Sequence, residues 1–233
     1  MSHSFHLFQL QKIDTQLDQG TARILEIQAK IDGDQRVPEA ETKVAESLAN
    51  LKAAQARLAK IEQEVTSKRM KLEQSESTLY GGKVKIPKEL QDLQHEVASL
   101  KRIITGLEDQ QLEAMMQVEE AQMGYDAAQK HLLRVQGVTT GENAVLMGES
   151  GMLAALKARL QVEREAVVNQ VDPVYLEEYA RLRKNKRGVA VATLTDDTCS
   201  ACGSLLTAAD RQNARSPIQV SHCPSCGRFL YGG

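Results

Sequence analysis

Residues 90–135 read LQDLQHEVASLKRIITGLEDQQLEAMMQVEEAQMGYDAAQKHLLRV, and this stretch decides the fold. From Leu90 to Val135 an apolar residue returns at alternating spacings of three and four positions, with Gln111 as the polar exception, which is the a/d rhythm of a heptad. A helix of this length extends for roughly 69 Å at about 1.5 Å per residue, so it cannot fold back into a compact core. The stretch therefore predicts one helix of a coiled coil.

Two earlier stretches, residues 10–31 and 44–79, keep the same rhythm and predict two more long helices. Between the second of these and Leu90 the chain reads Tyr-Gly-Gly-Lys-Val-Lys-Ile-Pro, which a helix cannot traverse intact. A short connection places consecutive helices side by side in opposite directions. We therefore expect a mainly α protein built on a long antiparallel coiled-coil hairpin, with its tip at residues 80–87.

Two interruptions of the pattern predict that this hairpin is kinked. The first lies near Gly33, and the second is a polar break at residues 136–143. After the polar break the pattern resumes at Leu153, Leu156, Leu160 and Val167. Because the two interruptions lie at similar distances from the tip, residues 5–32 and 145–170 are expected to pair as a second, differently angled section. Residues 1–170 are thus predicted to form one kinked hairpin domain.

The last fifth of the chain holds all four cysteines, arranged as two matched knuckles. They read Cys199-Ser-Ala-Cys202-Gly and Cys223-Pro-Ser-Cys226-Gly, with 20 residues between them. Two thiolates that flank a tight turn can reach one ion, the following glycine lets the chain turn back, and two knuckles supply four ligands. Four protein ligands leave no position for a substrate, so such a Zn²⁺ ion is structural. We expect a small β zinc ribbon over residues 189–233, whose folding depends on the metal.

Iron is the alternative metal, because rubredoxins hold one redox-active iron between knuckles of the same kind. Their small cores are rich in aromatic residues, whereas residues 189–233 contain only Phe229 and Tyr231. We therefore favour zinc and keep a rubredoxin-like electron carrier as an alternative. Disulfides are disfavoured, because the first residues show no apolar run typical of an export signal.

A connector is predicted at residues 171–188, between the hairpin and the ribbon. Asp172 and Pro173 fit the N-cap and the first position of a short helix. The connector ends in five basic residues: Arg181, Arg183, Lys184, Lys186 and Arg187. This basic run is a candidate nucleic-acid contact, and its alternative explanation is a helix C-terminus whose cations complement the helix dipole. Ribbon strands are expected at residues 189–194, 218–222 and 229–231.

The tip carries a second basic cluster beside a pair of glycines. Its members are Lys83, Lys85 and Lys88. Ordinary turn chemistry with solubilising lysines accounts for such a cluster, and contact with a partner protein is the alternative.

In this order the parts resemble a bacterial family of coiled-coil proteins with a C-terminal C4-type zinc ribbon. The specific portions are residues 80–97, with Gly-Gly-Lys and Pro-Lys-Glu-Leu at the tip, and residues 175–231, which close on Cys-Gly-Arg-Phe-Leu-Tyr. The resemblance implies zinc bound by the four cysteines. Because members of that family have been linked to flagellar gene regulation, to the nitrogen-type alternative sigma factor and to RNA, it also implies a role in transcription regulation.

Composition narrows the remaining classes of function. The chain has 233 residues, 26% of them charged and 3% aromatic, and a formal net charge of −2, which is typical of long helices. No stretch is apolar enough to predict a membrane span, and neither a phosphate-binding loop nor a spare cysteine points to catalysis. We expect a cytoplasmic, non-enzymatic adaptor that takes no small-molecule substrate and binds a protein partner, such as a sigma factor or another regulator. RNA binding through the basic run is the alternative.

Overall fold

The computed structural model describes residues 3–82 and 84–233. Within these residues the helices and strands are α1 (His3–Asp32), α2 (Arg36–Tyr80), α3 (Pro87–Val168), α4 (Pro173–Asn185), β1 (Val191–Thr195), β2 (Thr198–Cys199), α5 (Ala208–Arg215), β3 (Ser221–His222) and β4 (Phe229–Tyr231). The mainly helical class, the coiled-coil hairpin and the small strand region at the C-terminal end are all confirmed.

Contacts along the chain group it into two compact units. One comprises Met1–Gly33 and Asn143–Gly233, and the other comprises Asp34–Glu142. The predicted domains divide the chain by type of secondary structure, into hairpin, connector and ribbon, whereas the two units divide it by contacts. The predicted domains therefore stay a prediction.

In the unit formed by Asp34–Glu142, α2 pairs with the first part of α3 in an antiparallel coiled coil. Ile61 and Val65 of α2 pack against Ala114 of α3, and all three are buried. Ion pairs such as Arg69–Glu108 at 2.6 Å flank this seam, but exposed pairs of this kind contribute little stability. Burial of the seam is therefore the main stabilising term.

The hairpin connection depends on two glycines that follow Tyr80. A Cβ on Gly81 would lie 2.6 Å from the Ser77 carbonyl oxygen, and Gly82 has a φ of 70°. A side chain at position 81 would clash with the backbone, and residues other than glycine rarely adopt the backbone conformation of position 82. α2 therefore ends here, and α3 begins at Pro87, where a first-turn proline loses no hydrogen bond.

In the other unit, α1 pairs with the last part of α3, also in antiparallel fashion. Arg23 of α1 bonds Glu149 of α3 at 2.7 Å, and the side chain of Lys157 lies against Gly20. Beyond α4 the strands form a four-stranded sheet in the order β2-β1-β4-β3, with β1 and β4 parallel and the outer pairs antiparallel. The buried side chains of Leu7 and Leu10 join α1 to the core of this ribbon.

The polar break predicted at residues 136–143 is wrong, because α3 runs unbroken through it. Thr139 is buried and Asn143 and Leu146 are half-buried, so polar residues continue the spacing of the seam. The stretch contains no proline, and glycine lowers helix stability without breaking the backbone hydrogen-bond ladder. The prediction that Leu156 belongs to the seam is also wrong, since Leu156 is exposed and the neighbouring Lys157 is half-buried.

Replacing glycines of this stretch should stabilise α3. A Cβ on Gly137, Gly141 or Gly148 would meet nothing within 4 Å, so alanine adds helix propensity without a clash. We expect each Gly→Ala change to raise the free energy of unfolding by about 0.5–1 kcal/mol, measured as slower amide hydrogen exchange around the substituted turn.

Gly82→Ala is the matched control for this prediction. Its Cβ would also meet nothing within 4 Å, but its φ of 70° is unfavourable for alanine, so this change should destabilise the hairpin. An unchanged or lower stability in the α3 variants would contradict the prediction.

Candidate metal centre and its junction with the coiled coil

The four cysteines converge at one point of the ribbon. Their sulfur atoms all lie within 4.8 Å of one another, and no disulfide joins them. The Sγ atoms of Cys199 and Cys226 are 3.9 Å apart, and those of Cys202 and Cys223 are 3.7 Å apart. A tetrahedron with metal–sulfur bonds of about 2.3 Å has edges of about 3.8 Å. The four thiols are thus spaced to hold one metal ion.

The backbone of each knuckle positions its cysteines in the same way. The N–H of Gly203 donates to the Cys199 carbonyl, and the N–H of Gly227 donates to the Cys223 carbonyl, both at 2.8 Å. The two glycines have φ values of 73° and 74°, a conformation that side chains rarely adopt. The glycine after each pair is therefore required by the turn, as the sequence predicted.

The thiols differ in their surroundings and in their acidity. Cys199 and Cys223 are buried, and burial raises the pKa of the Cys199 thiol to about 12. Cys202 is exposed, and hydrogen bonds from the side chain and backbone of Ser204 lower its pKa to about 6. Since cysteine binds metal as the thiolate, metal uptake must release protons, and the affinity must fall as the pH falls.

Two elements of the ribbon were missed from the sequence. Strand β2 pairs with β1 and brings Cys199 opposite Leu194. Helix α5 lies between the knuckles and opens on a capping box, in which Thr207 and Asp210 each bond the other's backbone N–H. The Thr-x-x-Asp spacing is a helix-start signal that was available in the sequence. Strand β2 has only two residues and carries no such signal.

A side chain of α1 holds the ribbon against the coiled coil. The Gln11 carbonyl oxygen accepts hydrogen bonds from the backbone N–H groups of Ala190 and Val191, both at 2.6 Å. Its amide nitrogen donates to the Val191 carbonyl oxygen at 2.7 Å. Nearby, the rings of Phe8 and Tyr231 stack with centroids 4.7 Å apart. One amide and one ring pair thus fix the ribbon on α1.

A buried carboxylate holds the connector in place. Asp14 of α1 is 4% exposed and accepts hydrogen bonds from the Arg164 Nε at 2.7 Å and from the Tyr179 hydroxyl at 2.8 Å. Arg183 forms ion pairs with Asp14 and Asp18. Burial, together with the negative charge of Asp14, raises the pKa of Tyr179 well above its ordinary value. This charge-satisfied network ties α1, α3 and α4 together.

The members of the predicted basic run differ in their contacts. Arg183 is committed to the Asp14 network, Arg181 pairs with Glu178 at 3.3 Å, and the carbonyl of Lys186 accepts from Arg228. Lys184 and Arg187 are exposed. The nucleic-acid role of these five residues stays a prediction, and Arg181, Lys184 and Arg187 are the exposed ones among them.

The predicted tip cluster is only partly within the described residues. Lys83 lies outside them, whereas Lys85 and Lys88 are exposed. Two apolar residues at the same end of the hairpin were missed from the sequence: Tyr80 is 79% exposed and Ile86 is 55% exposed. Their position beside the hairpin connection was the sequence signal that could have predicted their exposure. A role of the tip in partner binding stays a prediction.

The fold and site define a coiled-coil hairpin followed by a four-cysteine ribbon. Residues 10–187 match the model of the CT398-like coiled coil hairpin domain, and the chain belongs to this family. The match ends before the first cysteine. Two Mycobacterium tuberculosis proteins, MT2288 from strain CDC 1551 and Rv2229c from strain H37Rv, are each 26% identical over 175 residues, which cover 74% of this chain and 71% of theirs.

Three solved structures share the fold. A Mycobacterium smegmatis protein has a TM-score of 0.82 at 23% identity, with both chains covered completely. CT398 from Chlamydia trachomatis has a TM-score of 0.78 at 18% identity, over 99% of this chain and 98% of that one. HP0958 from Helicobacter pylori has a TM-score of 0.52 at 17% identity, over 99% and 97%. At these identities the likeness concerns the fold alone.

None of the helices within residues 3–82 and 84–233 combines the length and the apolar character needed to cross a bilayer.

The Asp14 network generates a prediction about the connector. Asp14→Ala would leave Arg183 and Tyr179 without their buried partner, so we expect the free energy of opening of α4 to fall by about 3–5 kcal/mol. Hydrogen exchange of the α4 amides measures this fall directly.

Arg181→Ala is the control, because Arg181 is 69% exposed at the side chain and its pair with Glu178 lies on the same helix. That change should stay within about 0.5 kcal/mol. Equal effects of Asp14→Ala and Arg181→Ala would refute the structural role assigned to the network.

Proposed function

We propose that the protein is a non-enzymatic adaptor whose ribbon is held by one structural zinc ion and whose coiled coil binds a partner protein. The observation that carries this proposal is the four-thiol cluster, which supplies a full set of ligands and leaves no position for a substrate. The CT398-like family is not a known enzyme family. A long coiled coil also offers extended helix faces, which suit the binding of another protein.

Zinc is supported by ligand chemistry and by the size of the ribbon. Four thiolates in a closed tetrahedron are a typical structural zinc set. The ribbon buries few large side chains of its own, with Leu206, Phe229 and Leu230 as the main ones, so a metal supplies folding energy that its core lacks. An iron centre of the rubredoxin type is the less favoured alternative.

The metal assignment predicts one zinc per chain by elemental analysis and a colourless protein. Cys223→Ser should abolish binding, because it removes one of the four ligands and adds a poor one. His222→Ala is the matched control, since His222 adjoins Cys223 but its Nε2 contacts Glu178 at 3.3 Å. That variant should keep its zinc. A red protein containing iron would decide for the electron-carrier alternative.

The partner we propose is a cytoplasmic regulatory protein, with an alternative sigma factor as the candidate that the family resemblance suggests. The hairpin tip is one proposed contact, because it combines the exposed Tyr80 and Ile86 with Lys85 and Lys88. Tyrosine is enriched at interface centres, whereas lysine suits the polar rim, where its charge steers and orients the partner.

RNA binding is the second candidate, and one observation favours it. Lys184 and Arg187 project from the C-terminal end of α4 without an ion pair among the described residues, so they are free to contact phosphates. Two such cations give weak, salt-sensitive binding on their own. For this reason we place RNA second to a protein partner.

An affinity purification from the native cells tests the function. The tagged full-length chain is recovered with and without nuclease treatment, and both proteins and RNAs are identified. We expect a protein partner that persists after nuclease treatment. Enriched RNA, with proteins lost on digestion, would instead establish the second candidate. Recovery of neither would reject the adaptor.

A further inference from the structure

Helix α3 carries a second apolar stripe on the side opposite its buried seam. Leu112 is 61% exposed, Met116 is 69% exposed and Met123 is 65% exposed. At about 100° per residue these three side chains project within roughly 40° of one another, and the buried Ala114 projects in the opposite direction. We call this stripe the α3 methionine face. Its members lie in the unit Asp34–Glu142, and no seam contact within that unit uses them.

Carboxylates border the methionine face on both sides. Residues 103–129 contain no lysine or arginine and six acidic residues: Glu108, Asp109, Glu113, Glu119, Glu120 and Asp126. Only Glu108 among them forms an ion pair within the described residues, with Arg69 of α2. By helical position Asp109, Glu113 and Glu120 flank one side of the stripe, and Glu119 and Asp126 flank the other. The face is thus an apolar ridge between two acidic margins.

Helix α2 of the same unit has no comparable combination of exposed apolar residues and acidic margins. Its large exposed apolar residues are Met70 and Tyr80, far fewer than α3 has, and Tyr80 belongs to the tip. Residues 48–74, the part of α2 antiparallel to this stretch of α3, carry six basic and three acidic residues. This part of α3 therefore differs from the facing part of α2 both in its acidity and in its exposed apolar residues.

We propose that the α3 methionine face binds one basic amphipathic helix of a partner protein. This inference rests on the proposed adaptor function and specifies the chemistry of its partner. Charge complementarity determines which helix fits this face. The apolar side of the partner helix packs between the acidic margins, and Lys or Arg residues beside it pair with the carboxylates. Methionine side chains are flexible and polarisable, so they adapt to the apolar residues of another helix. The acidic margins repel RNA.

The occupant is a helix because the face is itself a helix surface. It offers ridges and grooves into which a second helix packs, and its backbone groups are all bonded within α3, so it has no free edge for an added strand. A partner helix that lies along residues 109–126 would present apolar residues every three to four positions toward the stripe.

The test measures binding of a fluorescent 18-residue helix of leucine and lysine to the purified full-length protein by anisotropy. A scrambled peptide of the same composition accompanies it. We expect Leu112→Gln, Met116→Gln and Met123→Gln together to weaken binding at least tenfold. The matched control replaces Val145, Met147 and Met152, which are also exposed on α3, by glutamine, and should change it less than twofold.

The acidic margins are tested in the same assay. Glu119→Gln with Glu120→Gln should weaken binding and reduce its salt dependence, whereas Glu62→Gln with Glu64→Gln on α2 should do neither. Equal losses in the target and control variants, or equal binding of the scrambled peptide, would overturn the proposal. Self-association of the protein that the triple variant abolishes would overturn it too, because the occupant would then be a second copy.

The proposal and the adaptor function fail in different ways. Purification from cells that recovers the same nuclease-resistant partner with the triple variant as with the unaltered chain would overturn this face and leave the adaptor standing. Recovery of no partner with either chain would reject the adaptor, and the partner chemistry proposed here with it.

Discussion

The structure depends on the burial of one narrow seam between helices that are too long to form a core by themselves. A pair of helices buries only the stripe along which they meet, so most of each helix faces solvent. In the unit Asp34–Glu142 that stripe includes Ile61, Val65 and Ala114. Stability then accumulates along the length of the hairpin, and the outer faces remain available for other uses.

A larger hydrophobic core lies in the other unit, formed by Met1–Gly33 and Asn143–Gly233. Six of the eight Phe and Tyr residues lie where α1, α4 and the ribbon meet: Phe5, Phe8, Tyr175, Tyr179, Phe229 and Tyr231. The low aromatic content of the chain thus hides a local concentration. It explains how a ribbon with a small interior gains apolar burial beyond that of its own residues, since it shares the first turns of α1.

Local patterns predicted the parts of this fold that local physics determines. The heptad rhythm of residues 90–135, the glycines before Pro87 and the spacing of Cys199 to Cys226 each specify a structure within a short window. The unbroken course of α3 does not follow from such patterns, because the polarity of residues 136–143 indicates a break that only a proline would enforce. Strands β1 and β3 begin two and three residues later than predicted, because strand ends depend on their pairing partners.

The contacts that join the parts were beyond such reasoning. Asp14 and Arg183 are separated by 169 positions, and no local sequence pattern distinguishes either of them from an exposed charged residue. Arg183 was grouped with its basic neighbours, although its position on the inner side of α4 commits it to Asp14. Side chains that act across tertiary distances become visible only when the elements are brought together.

Gln11 has a consequence for the behaviour of the ribbon in a crowded solution. Strand β2 pairs with β1 only at Leu194 and Thr195, so the N–H and C=O of Val191 on that side would face outward as an open sheet edge. The amide of Gln11 occupies both groups and acts as a single residue of an additional strand. A foreign chain therefore finds no unpaired group at this point of the sheet, and the coiled coil protects this edge of its small domain from the edge-to-edge aggregation to which exposed strands are prone.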